Sequence, residues 1–278
     1  MENLHVSDNK RYLMKGSETF FWLADTGWLI FGNISEEEAY NYLKNRADKG
    51  FNVIQAVLVY STKELESVNK MYWGGADRIN DEEYWQHVER IIKMADKLGL
   101  YMALLPSWGS LLKNNLITSE NVLVYGRFLA ERLEKYSNII WVLGGDIKAD
   151  NYVEIYRKLG RYFKEKMPDK LITFHPFGRC ASSMWFADDS WLDFNMFQSG
   201  HRRYDQCNLG AWDDTDNPSY YGEDNWKYVK NDYLVSNKPT LDAEPSYEWI
   251  LQGLHDNTQP YWKAKQVRRY AYWSVFQG

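Results

Sequence analysis

The sequence predicts an α/β fold of the (β/α)8 TIM-barrel type, on three observations. Seven short apolar runs alternate with amphipathic helical stretches from residue 20 onward. Each run is near-continuously apolar, as expected of a strand with helices over both faces. The loop after the first run is "ADTGWLIFG", with no GxGxxG pattern, which disfavours a doubly wound nucleotide-binding sheet.

The elements follow in order. Residues 4–20 read as a small hairpin with polar turns, placed to plug one end of the barrel. "FFWLAD" (20–25) is the first strand. "SEEEAYNYLKNRADKG" (35–50) is a helix with Ser35 as N-cap, Glu38 completing a capping box and Gly50 just past its end. "FNVIQAVLVY" (51–60) is the next strand, and 81–100 the next helix, opened by Asp81 and closed by Gly99. "YMALLPSW" (101–108), a helix from about Ser119 to Tyr136, and "NIIWVLGGD" (138–146) follow. Then come a helix over Asn151 to Lys166, strands at 171–178 and 191–201, a helix over Asn225 to Ser236, a seventh strand at 238–248 and a last helix at 261–278. The chain reaches "SVFQG" where an eighth strand would begin. The expectation is one domain over 1–278, a barrel lacking its last strand, left open or closed by the leading segment.

Composition narrows the function classes. The 278 residues carry net charge −5 with no basic block, which argues against nucleic acid as a partner. Aromatic residues make up 17%, with 13 Trp and 21 Tyr, an excess suited to deep cores, protein interfaces or sugar-binding clefts. The N-terminus has no apolar h-region and no stretch approaches the ~20 apolar residues needed to cross a membrane, so a cytoplasmic protein is expected. Cys180 and Cys207 are too few and too isolated for a disulfide framework or a zinc ligand set. No feature encodes an oligomeric state.

In a barrel of this kind the C-terminal strand ends form the active face. Those ends carry Asp25 with Thr26 and Trp28, then Gln55, then Ser107 with Trp108, then Asp146, His175, Gln198, Ser199 and His201, and finally Asp242 and Glu244. Asp146 and Glu244 end the fourth and seventh strands, on roughly opposite sides of the mouth. Hydrolysis of a glycosidic bond needs such a pair, one acid to protonate the departing oxygen and one to attack or stabilise the anomeric carbon. Gly144 and Gly145 allow a sharp turn before Asp146, and Pro245 holds Glu244 extended.

Plainer roles stand beside these. Asp146 precedes a helix and could cap it. Asp242 alternates with Glu244, so it is expected to point to the same side and to bond a neighbour in the upper layer of the barrel. Asp25 could bind a substrate hydroxyl or hold a loop. His201 could bind substrate, tune a carboxylate or satisfy backbone groups. Trp22, Trp141 and Trp191 belong with the core, whereas Trp28, Trp73 and Trp108 lie in loops suited to sugar stacking. The loops 60–80 and 202–224 carry polar and aromatic residues suited to sugar contacts.

The motifs "FFWLADTGWLIF", "ADKGFNVIQAV", "NIIWVLGGD", "TFHPFG", "WLDFNMFQSGH", "LDAEPSYE" and "VRRYAYWSVFQG" resemble, in the same order, the apiosidase-like glycoside hydrolases, glycoside hydrolase family 140 and its relatives. The resemblance runs from about residue 4 to 278. It implies a (β/α)8 barrel, usually followed by a small C-terminal β-sandwich that is expected to be absent here. It implies glycosidase activity, with removal of apiose from pectic side chains as the characterised reaction. It further implies Asp146 as acid/base, Glu244 as nucleophile, and substrate contacts at Gln198, His201 and His175.

The resulting expectation is a retaining glycosidase of plant, pectic-type oligosaccharides, with Asp146 and Glu244 catalytic. Asp25, Trp28, Gln55, Trp108, His175, Gln198, His201 and Asp242 are the expected substrate-binding set. No cofactor and no metal are expected. Two rivals are a carbohydrate-binding barrel that no longer cleaves, and a metal enzyme using His175, His201, Asp242 and Asp25; no HxH or HExxH spacing supports the second.

Overall fold

The computed structural model describes residues 1–32, 34–60, 82–201 and 225–277. Asp81, Trp73, Cys207 and the loops at 61–80 and 202–224 lie outside the described residues.

The leading segment is a three-stranded antiparallel sheet, not the expected hairpin: β1 (Leu4–Val6), β2 (Leu13–Lys15) and β3 (Glu18–Phe20) pair in that order. The chain reverses a second time at Gly16, whose φ of +56° suits glycine. Leu13 thereby faces Phe20. The expected strand at 20–25 is therefore two pieces, because Phe20 closes the leading sheet and β4 (Ala24–Thr26) opens the barrel. Leu4 and Leu13 pack in one cluster with Val53, Tyr101, Ile140 and Leu171, all at or near strand starts. The Tyr101 hydroxyl donates to the Glu2 carbonyl at 2.5 Å, and the N-terminal ammonium bonds Asp96 at 3.1 Å and Ser137 at 2.8 Å. The leading sheet thus closes the end of the barrel away from the active face, as expected of a plug.

β4, β5 (Val53–Val57), β6 (Tyr101–Leu105), β7 (Ile139–Ile147) and β8 (Ile172–Pro176) form one parallel sheet in chain order. β9 (Asn195–Phe197) and β10 (Thr240–Asp242) pair parallel as a second group. The two groups join where Asp193 accepts from the Ile172 N–H at 2.7 Å and the Phe194 carbonyl accepts from the Thr173 hydroxyl at 2.6 Å. These side-chain bonds flank one backbone bond, from the Asp193 N–H to the Ile172 carbonyl at 2.9 Å. The described residues therefore hold seven parallel barrel strands and no eighth.

The helices are α1 (Glu36–Asp48), α2 (Glu82–Lys97), α3 (Ser110–Lys113), α4 (Val122–Leu133), α5 (Val153–Lys166), α6 (Ser183–Phe186), α7 (Asn225–Ser236) and α8 (Ala264–Gln277). α1 begins with the expected capping box: the Glu38 N–H donates to the Ser35 hydroxyl at 3.3 Å and the Ser35 N–H to the Glu38 carboxylate at 2.8 Å. Among the described residues, no helix is long and apolar enough to cross a membrane.

The unbroken apolar runs are explained by two cores. Val53 and Val57 point into the barrel with Ala103, Ile140, Val142 and Met196, while Ile54 and Ala56 of the same strand pack outward under the helices with Leu43, Val88 and Ile91. Leu13→Ala is expected to cost about 2–5 kcal/mol by opening a cavity under the barrel, measured by urea unfolding. A cost near zero would mean the leading sheet is not part of the core.

Candidate active site

β7 does not stop at Asp146. It runs on to Ile147, and its pairing with β8 slips between Gly144 and Ile147, so the two glycines form a bulge inside the strand rather than a turn after it. Gly144, Gly145 and Asp146 all have positive φ, at 96°, 103° and 49°. A Cβ on Gly144 would meet the His175 carbonyl oxygen at 2.2 Å, and one on Gly145 would meet the Trp108 ring at 2.9 Å. Glycine is thus required twice over, for backbone conformation and for close approach. The bulge turns the Asp146 side chain into the mouth, where its Oδ1 is buried without a hydrogen-bond partner. The helix-cap role falls away, since Tyr152 is the residue at the start of α5.

Glu244 lies two residues past β10, 5% exposed. Its Oε2 accepts from the Gln198 amide at 2.9 Å and lies 3.3 Å from His175 Nε2. Its Oε1 lies 3.3 Å from His201 Nε2 and accepts a short hydrogen bond from the Tyr247 hydroxyl. One carboxylate oxygen from each of Asp146 and Glu244 and one ring nitrogen of His175 lie within 4.8 Å of one another. That trio could offer three donor atoms to a metal ion. The donor set drawn from the sequence is not assembled, because Asp25 and Asp242 are engaged elsewhere.

The two acids sit in opposed environments. Burial by itself would raise Glu244, but hydrogen bonds from His175 and His201 and their charge reverse this and hold it well below the usual carboxylate range. Asp146 is raised to about 6 by burial and by the Glu244 charge, against the opposing pull of His175 and His201. Burial would lower His175, but the Glu244 carboxylate outweighs it and raises the imidazole. Glu244 is thereby kept ionised and Asp146 protonated near neutrality's acid side.

Aromatic groups wall the pair. The Trp28 ring stands edge-on to Trp108 at 5.3 Å and to His175 at 5.5 Å, and Tyr60 lies 5.2 Å from Trp108. Trp28, Trp108, His175, Gln198 and His201 are thus gathered around the two acids, as the sequence reading places them.

Three expected substrate ligands are not. Asp25 points out of the barrel, paired with Arg46 at 2.8 Å and accepting from the Tyr42 hydroxyl at 3.0 Å, so it ties β4 to α1. Gln55 donates across the barrel to the Ala243 carbonyl at 2.7 Å and is 2% exposed; it braces the backbone next to Glu244. Asp242 accepts from Ser199 and from Asn225, each at 2.6 Å, toward α7 and α8. Its oxygens are pushed up to about 6 by burial, against those hydrogen bonds. It does not share a side with Glu244, because β10 ends at Asp242 and strict alternation ends with it.

Tyr247 is the residue that strand-end reading missed. Its hydroxyl accepts from Thr26 at 3.3 Å and Trp28 at 3.2 Å while donating to Glu244. Its signal in the sequence is only its place three residues past the acid in "EPSY".

The sequence matches the family described as apiosidase-like, catalytic domain, over residues 7–278. No curated protein matches it. A solved structure described as a glycoside hydrolase is 40% identical with a TM-score of 0.90, covering 100% of this chain and 64% of its own. A glycoside hydrolase family 5 structure from Bacteroides vulgatus ATCC 8482 is 39% identical with a TM-score of 0.89, covering 99% and 61%. The chain therefore spans less than two thirds of either relative. An endo-1,4-beta-D-mannanase from Thermotoga petrophila RKU-1, 11% identical with a TM-score of 0.65 over 93% and 86%, shares the fold.

Gly144→Ala is expected to destabilise by about 2–5 kcal/mol, from a left-handed backbone cost of ~1–2 and overpacking of ~1–3. Gly50→Ala, also at positive φ but with nothing within 4 Å, carries only the first cost. Equal unfolding midpoints in guanidinium for the two variants would contradict the close approach. Tyr247→Phe removes one donor to a charged group, worth about 1.5–3 kcal/mol. It should lower kcat by about tenfold or more and move the acid limb of the pH–rate profile upward.

Proposed function

The chain belongs to the apiosidase-like catalytic domain family, and from that premise we propose that it hydrolyses a glycosidic bond of a plant, pectic-type oligosaccharide with retention of configuration. The observation that carries this reading is the approach of the Asp146 and Glu244 oxygens to within 4.8 Å. Separations of ~5–5.5 Å belong to retaining pairs, and inverting pairs need ~6.5–9.5 Å to admit a water. The pectic class follows from the resemblance to the apiosidase-like enzymes, whose characterised reaction removes apiose from pectic side chains.

In this mechanism Asp146, protonated in the resting site, gives its proton to the leaving oxygen. Glu244, ionised by its imidazole and phenol partners, attacks the anomeric carbon and forms a glycosyl ester. Esterification removes the negative charge that helped to hold Asp146 up. The Asp146 pKa then falls, and the same group becomes the base that deprotonates the incoming water. The Trp28, Trp108 and His175 rings bound the volume in which the sugar ring would sit.

The pH dependence has a definite sign. Asp146 must be protonated, so kcat/KM is full below its value of about 6 and falls as pH rises through it. Glu244 must be ionised and is held low, so the acid limb lies well below that. Asp146→Asn and Glu244→Gln should each lower turnover of pectic side-chain oligosaccharides by a thousandfold or more, since both carboxylates act in every turnover. Products should keep the anomeric configuration of the substrate by NMR. Inverted product, or a near-wild-type rate in either variant, would overturn the mechanism. Sugar binding without any product would instead support the non-catalytic reading.

A further inference from the structure

Past Glu244 the chain leaves the barrel and returns only at α8. The excursion is a stitched hairpin. The Trp249 N–H donates to the Trp262 carbonyl at 2.9 Å, the Trp262 N–H to the Ile250 carbonyl at 2.9 Å, and the Gln252 N–H to the Pro260 carbonyl at 3.0 Å. Its root is fixed to the active site, because the His201 carbonyl accepts from the Gly253 N–H at 2.6 Å and from the Trp262 indole at 3.0 Å. His201 is the residue against Glu244 Oε1. The hairpin is therefore rigidly coupled to the catalytic pair rather than hung from it.

Trp249 stands at the start of this hairpin with two features that run against folding stability. It is 65% exposed, and its φ is +64°, the left-handed region that a bulky residue rarely occupies. Such a conformation costs about 1–3 kcal/mol and recurs at ligand clamps. The Lys263 ammonium lies 3.6 Å over the Trp249 ring and 5.5 Å from the ring of Tyr261, itself 48% exposed. Lys263 sits one residue before α8, where the helix dipole adds to its positive charge.

The Trp249 and Tyr261 rings, tilted by 52° with centroids 6.5 Å apart, form two exposed aromatic walls beside a cation, which match one class of occupant. The C–H face of a pyranose packs on an indole or phenol ring, and a carboxylate on the sugar meets the ammonium. The position is right for a substrate residue remote from the cleaved bond. Trp249 is five residue steps past Glu244, at most ~18 Å of chain, which a short oligosaccharide spans. We propose that Trp249, Tyr261 and Lys263 form an outer subsite for a uronate residue of the oligosaccharide substrate, an inference that rests on the glycosidase reading above.

The test is calorimetric titration, in a Glu244→Gln background that prevents turnover, with a galacturonate oligosaccharide and with the same compound after reduction of its carboxyl groups. The acidic probe should bind more tightly than the reduced one, and added salt should narrow the difference. Trp249→Gly should weaken the acidic probe at least tenfold. Lys263→Gln should weaken it about fivefold and leave the reduced probe unchanged. Trp249→Gly should not lower Tm, because glycine takes the left-handed backbone without strain. No binding of the acidic probe, equal affinity for the two probes, or an affinity indifferent to Trp249 would overturn the subsite. A protein that binds through Trp249 but hydrolyses nothing would sink the glycosidase reading alone; one that hydrolyses while its affinity ignores Trp249 and Lys263 would sink the subsite alone.

Discussion

An ionised carboxylate buried at the mouth of the barrel, that of Glu244, sets the terms for everything around it. An unpaired buried charge is costly by several kcal/mol, and the geometry of its partners must be good to offset that. Here the partners are His175, Gln198, His201 and Tyr247, with each oxygen of Glu244 contacted by two of them. They come from the end of β8, from the segment after β9 and from the segment after β10. Three neighbouring parts of the barrel are therefore held in register by one side chain. The braces behind it follow the same logic: Gln55 crosses the interior to the carbonyl of Ala243, and the Pro176 carbonyl engages Nδ1 of His175 at 3.0 Å, so that Nε2 is left for Glu244.

Asp146 is the complement of that arrangement. Of the donors that stabilise Glu244 only the Gln198 amide also hydrogen-bonds Asp146, its Oδ1 has no partner, and burial and the charge of Glu244 outweigh that bond. Two carboxyl groups of similar intrinsic acidity are driven apart by environment alone, which is how one fold supplies an acid and a nucleophile at the same pH. The left-handed backbone at Gly144, Gly145 and Asp146 is what brings the second acid close to the first. The strain of a positive φ at a non-glycine residue falls on Asp146 alone, in the strand that pairs with His175.

What could be read from the sequence was whatever depends on local pattern. The capping box at Ser35 and Glu38, the alternation of strands and helices, and the clustering of polar groups at strand ends all depend on near neighbours along the chain. Asp146 and Glu244 were legible because a strand end in a barrel has a defined location. Asp25 misled because position along the strand says nothing of direction. Ala24 packs into the interior, so its neighbour Asp25 must face α1, and alternation carried through "ADT" contains that information. Asp242 misleads for the reverse reason, since Glu244 lies two residues beyond the ladder that enforces alternation. The roles of Tyr247 and Gln55 are not local. Their roles arise from contacts with Trp28 and Ala243, 219 and 188 residues away along the chain.

The same distance explains why closure of the barrel and the state of the nucleophile are one problem. A barrel normally joins its strands through backbone ladders, which are indifferent to side-chain chemistry. Among the described residues, β4 and β10 share no ladder. Where they approach at the active face, the joint is the Tyr247 hydroxyl, accepting from Thr26 and Trp28 and donating to Glu244. Hydroxyl donors and acceptors polarise one another in a chain, so the bonds from β4 strengthen the one delivered to the carboxylate. Any relative movement of β4 and the segment after β10 stretches these bonds first and changes the stabilisation of Glu244 directly. A group that braces the wall of the barrel and a group that tunes the nucleophile are here the same phenol.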